Sequence, residues 1–243
     1  MTPSTEPITP TSTLADLAAT HAGASRVFYR HDLDFCCHGR VSLAEACSKK
    51  SLAVAELVEE LRAETAHAPD FRRWDEQPIP SLVAHVLARF HEAHRAELPR
   101  LLARARKVEL VHADKPSCPH GLAEHVQRIA EELEQHMQKE EQVREEHLLL
   151  EQHMQKEEQV LFPLILAGRG GMAAVPIQIL EEEHVDHGRN LARLRELAQG
   201  FRPPAEACGT WRALYLGLAE LDEQVMQHIH LENNVLFPRA LRS

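Results

Sequence analysis

The chain has 243 residues, enough for one large or two small domains with a core each. Its 44% hydrophobic and 26% charged residues are those of a soluble globular protein, and a formal net charge of −10 argues against nucleic acid or an anionic membrane surface as a partner. No apolar run is long enough to cross a bilayer. The five cysteines are too few, and odd in number, for a disulfide scaffold, so a reducing, cytoplasmic setting is expected. Histidine is the compositional outlier, at 17 residues.

Residues 1–13 are rich in Thr and Pro and lack a basic-then-apolar signal pattern; they are expected to form a disordered tail. Residues 14–30 carry Leu14, Leu17, Ala18, His21, Ser25 and Phe28 at helical spacing. A turn follows at Asp34-Phe35-Cys36-Cys37-His38-Gly39-Arg40. Ser42 with Glu45 three residues later is a capping box that opens a short helix, and residues 52–64 give another helix with Leu52, Ala55, Val58 and Leu61 on one stripe. Residues 14–64 are therefore expected to be a small helical module. Residues 65–80, with Pro69, Pro78 and Pro80, are expected to be a linker. Residues 81–243 contain four long helical patterns, at about 81–107, 122–162, 175–199 and 210–236, joined by short Pro- or Gly-containing loops. Nothing has the alternation of a strand. The fold class is all-α, with the module followed by an antiparallel four-helix bundle.

The pattern H-x-x-x-E-x-x-V-L-F-P occurs twice. One copy begins at His153 with Glu157, the other at His228 with Glu232. Residues four apart share a helix face, so each copy sets an imidazole beside a carboxylate. Two such helices facing each other present the donor set of a dinuclear metal site inside a bundle. The Leu-Phe-Pro ending supplies apolar anchors and a helix stop. Further nitrogen donors should come from the first and third helices, where the candidates are His85, His91 and His94, and His184 and His187. Periodicity does not choose among them. Glu181-Glu182-Glu183 reads as mostly solvated face beside His184.

Cys36 and Cys37 are adjacent. Bonding to each other would strain the intervening peptide, so they are either incidental thiols or a small exposed turn with redox or metal-transfer chemistry. Cys47, Cys118 and Cys208 read as incidental. A second repeat, LEQHMQKEEQV, occupies residues 133–143 and again 150–160 without a single change. Its offset rotates the helix face by roughly 260° beyond whole turns and separates the copies by roughly 25 Å on a straight helix. Only one of the pairs His136/Glu140 and His153/Glu157 can therefore join the pair on the fourth helix.

Asp-Phe-Cys-Cys at residues 34–37, His-Ala-Asp-Lys-Pro at 112–116, Lys-Glu-Glu-Gln before Leu-Phe-Pro, Glu183-His184 and Leu-Glu-Asn-Asn-Val-Leu-Phe-Pro at 231–238 together resemble the RIC (repair of iron centres) family. The resemblance spans about residues 14–241. It implies a cytoplasmic, homodimeric stress protein with a hemerythrin-like bundle, acting on iron–sulfur proteins damaged by nitric oxide or oxidants. It further implies two iron ions in an oxo- and carboxylate-bridged centre, held by His85, His153, Glu157, His184, His228 and Glu232, with Glu157 and Glu232 bridging. Cys36 and Cys37 would be the working di-cysteine. The family commonly has a small residue where His38 stands. The following Leu161-Phe162-Pro163 favours His153/Glu157 as the second-helix pair. A gas sensor or carrier and a di-iron nitric oxide reductase are the alternative functions this donor set allows.

Overall fold

The structure, a computed structural model, describes residues 7–67, 71–134 and 156–242. Among these residues everything regular is helical; one isolated bridge between Thr13 and Ser42 is the only extended pairing. The chain divides into two compact units, residues 1–84 with 225–243, and residues 85–224.

In the first unit α1 (Leu14–Thr20) is capped by Thr13, whose Oγ1 accepts from the Asp16 N–H at 3.1 Å. The single helix expected over residues 14–30 is broken. His21 is extended, Gly23 adopts φ +74°, and α2 (Ala24–Arg30) restarts behind it. A side chain at Gly23 would collide with Glu64 of α4, so the periodic apolar stripe continues across a turn that only glycine fits. The N-cap half of the capping box forms: Ser42 Oγ accepts from the Glu45 N–H at 3.2 Å and opens α3 (Leu43–Lys50), while the Glu45 carboxylate pairs with Lys49. α4 (Val54–Ala66) lies against α2, with Leu57 and Leu61 buried beside Val27, Phe28 and Phe35 as the core. The ion pairs Arg26–Glu64 and Arg30–Glu60 run along that seam, and being exposed they add at most about 1 kcal/mol each. The expected linker is not loose throughout: Arg239 donates to the carbonyls of Trp74 (2.9 Å) and Gln77 (2.6 Å).

The first bundle helix is α5 (Ile79–Val86), a π-helical turn (Leu87–His91) and α6 (Glu92–Val111). α7 (Leu122–Glu134) opens the second; the description resumes with a π turn (Lys156–Leu161) and α8 (Phe162–Leu166). The third is α9 (Ala174–Leu197). The fourth is α10 (Gly209–Leu231), a π turn (Glu232–Leu236) and α11 (Phe237–Ala240). In the second unit α7 packs on α6 and α9, Arg195 of α9 pairs with the fully buried Asp222 of α10 at 2.8 Å, and Gly217 of α10 lies against Leu101 of α6. This closes four helical segments around one core.

Both copies of the twin motif adopt the same backbone. Each has a π turn ending in Val-Leu, then Phe-Pro opening a short α-helix. Proline in a continuing helix clashes with the carbonyl four residues back and leaves it unbonded. A widened turn moves that carbonyl away, which is how Pro163 and Pro238 follow without a break.

Candidate functional site

In the first unit the di-cysteine turn is built on Asp34. Its Oδ1 accepts from the N–H groups of Cys36 (3.2 Å), Cys37 (2.9 Å) and His38 (3.4 Å), and from the Cys36 thiol at 3.3 Å. Its Oδ2 meets His38 Nδ1 at 2.6 Å. Burial alone would raise the Asp34 carboxyl; the bonds from His38, the Cys37 N–H and the Cys36 thiol outweigh it and hold the group below its ordinary value. The two thiols stand 3.6 Å apart. The turn is not simply exposed, as the sequence suggested: Cys36 is buried and Cys37 half-buried. The Cys37 thiol beside it, then burial and the Asp34 charge, push the Cys36 thiol well up. Gly39 permits the fold of this turn, since a side chain there would run into the Phe35 carbonyl.

The end of the fourth helix, in the same unit, holds this turn in place. Asn234 Nδ2 donates to the carbonyls of Cys36 (3.0 Å) and Phe35 (3.3 Å), and Asn233 Nδ2 to Cys36 at 3.4 Å. The Phe35 ring packs edge-on against His230 at 5.6 Å. Burial pushes His230 down to about 4 despite a bond to the Phe35 backbone, so its imidazole is neutral at neutral pH. One turn before Glu232, His228 sets its Nε2 2.9 Å from Glu232 Oε1, with the glutamate at 0% exposure. That is the side-by-side placement the spacing required. It is also close to the roughly 3 Å between neighbouring donors on an octahedral ion with bonds of about 2.1 Å.

In the second unit the histidines of the first helix separate by burial. His85 is partly exposed, its ring edge-on to Phe90 at 5.8 Å. His94 is buried against the same Phe90. His91 has 0% exposure; its Nδ1 lies 2.6 Å from Glu158 Oε1, and Arg95 reaches the same oxygen at 2.8 Å. Burial would raise the Glu158 carboxyl, but His91 and Arg95 outweigh it and keep the group ionised. It is therefore the acceptor and His91 Nδ1 the donor, the carboxylate-behind-imidazole arrangement seen at metal-binding histidines. On the third helix His184 and His187 are both buried, with ring centroids 6.2 Å apart. Glu183 is buried too, unlike the solvated face expected for the Glu181–Glu183 run.

His153, and the alternative pair His136 and Glu140, lie outside the described residues. Glu157 is the second residue of the π turn Lys156–Leu161. Each of the three π turns among the described residues thus carries a candidate donor or its partner: His91, Glu157 with Glu158, and Glu232. The density of buried imidazole and carboxylate fits a cation, because buried carboxylates are costly unless paired or coordinated.

Sequence reasoning missed three features. It left His91 unranked among its neighbours, gave Asn233 and Asn234 no role, and set Cys208 aside. Cys208 is exposed, with Sγ 3.2 Å from Nε2 of His112, whose ring packs on Trp211 at 5.1 Å. The only signal for that pair was the His-Ala-Asp-Lys-Pro turn itself.

Two family models match. A domain of unknown function, DUF542 (ScdA_N), covers residues 10–65, and the hemerythrin HHE cation binding domain covers residues 143–240. Curated relatives named iron-sulfur cluster repair protein YtfE, from Pectobacterium atrosepticum, Pectobacterium carotovorum subsp. carotovorum and Musicola paradisiaca, are 45%, 45% and 43% identical over 229 residues. Each alignment covers 94% of this chain and 96% of the relative.

Proposed function

Because the chain belongs to the YtfE family of iron–sulfur cluster repair proteins, we propose that it restores iron–sulfur clusters damaged by oxidative or nitrosative stress, by donating iron. The observation that carries this reading is relatedness over nearly the whole chain, including both the di-cysteine module and the cation-binding bundle.

The iron would be a carboxylate-bridged pair held by His153, Glu157, His184, His228 and Glu232 with one first-helix histidine. Burial and the Glu158 bond support His91 in that place over His85. The hemerythrin match begins at residue 143, which supports His153/Glu157 over His136/Glu140. Such a pair, when bound, supplies exchangeable iron with coordination positions open to small ligands. Glu158 fixes the His91 tautomer, and Arg95 holds Glu158 ionised. The burial of His184, His228 and Glu232 limits water at the donors. Cys36 and Cys37 aid thiol-dependent capture or docking. The protein would act on damaged iron–sulfur proteins in the cytoplasm, as a homodimer.

The test is iron content of protein purified without oxygen, followed by transfer to an apo iron–sulfur protein under reducing conditions. About two irons per chain are expected from the donor count. H153A/E157A and H91A should lose iron, while H136A/E140A and H85A should keep it. Loaded protein that transfers no iron, but binds oxygen reversibly or turns over nitric oxide, would overturn the repair reading in favour of a carrier or a reductase.

A further inference from the structure

We propose that Asp34, Cys36 and Cys37 form a separate mononuclear site for a borderline-soft divalent cation of the zinc type, with His38 as the residue that positions its carboxylate. In an extended chain adjacent side chains point to opposite sides. Here the Asp34 turn brings both sulfurs to one side, 3.6 Å apart, with Asp34 Oδ1 3.3 Å from Cys36 Sγ. All three ligand atoms lie within 4.8 Å of one another. A tetrahedral ion with bonds of about 2.3 Å to sulfur and about 2.0–2.2 Å to carboxylate oxygen requires edges of roughly 3.8 Å between sulfurs and roughly 3.6 Å between sulfur and oxygen. The two edges that meet at Cys36 Sγ therefore stand within a few tenths of an ångström of tetrahedral values before any ion arrives.

The turn is stiff enough to keep them there. Three N–H groups close on Asp34 Oδ1, and Asn233 and Asn234 hold the Cys36 carbonyl from behind. His38 Nδ1 sits on the other carboxylate oxygen, the arrangement that fixes a ligating carboxylate from its outer side. The cation also resolves an electrostatic conflict in the turn. The thiol beside it, burial and the carboxylate disfavour a Cys36 thiolate, and a divalent ion in their midst favours it. Binding releases the thiol protons to solvent and changes no oxidation state. Three protein ligands, with His38 exposed and Asp34 partly so, leave the fourth position to water, which suits an ion that is taken up and handed on.

Cobalt(II) titration of the reduced, metal-free full-length chain tests this, read by near-ultraviolet sulfur-to-cobalt charge transfer and d–d absorption. One tetrahedral cobalt per chain with sulfur ligation is expected. C36A and C37A should each abolish the sulfur band while retaining the helical circular dichroism of the parent. H38A should weaken affinity by about 10- to 100-fold without changing the band. H228A/E232A, which removes donors of the proposed iron pair, should leave the band in place, so the fate of this site is read separately from that of the repair reading. Absence of a sulfur band in the folded parent, or a band that survives C36A/C37A, would overturn the proposal.

Discussion

Replacing His112 by Gln separates a chemical role of the residue 112–116 turn from a shaping one. Cys208 lies just before α10, and the His112 bond to its sulfur, then the Trp211 N–H, bring its pKa from 9.0 to about 7. At pH 7 about half of Cys208 is then thiolate, against about 1% at the ordinary value, roughly 50-fold less. The less acidic thiol is intrinsically the better nucleophile: a Brønsted slope of about 0.4–0.5 over two pH units returns roughly eightfold. The net effect of H112Q at pH 7 is a slowing of up to about sixfold. The sign reverses near pH ~8, and above pH 9, where both thiols are largely ionised, the variant reacts faster by up to roughly eightfold. The assay is pseudo-first-order reaction with an aromatic disulfide from pH 5 to 10. C208S identifies the phase, and Cys47 and Cys118 stay out of it because burial pushes both up. The parent profile should turn over near pH 7 and the variant profile should move toward 9, with the two curves crossing. Coincident profiles would refute the claim that His112 sets the acidity of Cys208.

Other predictions follow from contacts between distant parts of the chain. N234A removes the donor to the Cys36 and Phe35 carbonyls and should lower stability by about 1–3 kcal/mol in urea denaturation; an unchanged midpoint would mean that Asn233 suffices to hold the turn. G217V places a β-carbon 2.7 Å from Leu101 Cδ2 and should cost about 1–3 kcal/mol by overpacking, whereas a neutral result would mean that Leu101 swings clear. R239A frees the carbonyls of Trp74 and Gln77, so limited proteolysis should cut residues 71–78 faster than in the parent; equal rates would show that the remaining contacts hold that stretch.

The all-helical class was legible because amphipathic stripes of period 3.6 run through every long segment, and Ser42 with Glu45 marked a helix start to the residue. The His228–Glu232 pair was legible for the same reason: an i, i+4 spacing fixes a distance without knowledge of the rest of the fold. Other features depend on residues far along the chain. The exclusion of a side chain at Gly23, behind the break at His21, depends on Glu64 of α4 lying over it. The role of Asn233 depends on a carbonyl 197 residues earlier. The difference between His85 and His91 depends on which of them meets Glu158, 67 residues after His91.

The π turns explain why periodicity stopped short at the donors themselves. A straight α-helix advances about 100° per residue, and each widened turn inserts an extra residue into that count. Faces assigned by counting are therefore dependable up to such a turn and out of phase beyond it. Leu87–His91 is one of these turns, so a helical count begun at His85 is out of phase by His94. Glu232 opens another, which is why its placement relative to His228 is secure while the Asn233-Asn234 pair behind it is free to face the di-cysteine carbonyls. In both copies the proline six residues after the glutamate lies in the first turn of the short helix that follows the wide turn, so Glu-x-x-Val-Leu-Phe-Pro joins a carboxylate to a local change of phase. In the second copy this change of phase lets Glu232 sit beside His228 while Asn233 and Asn234 face the di-cysteine carbonyls.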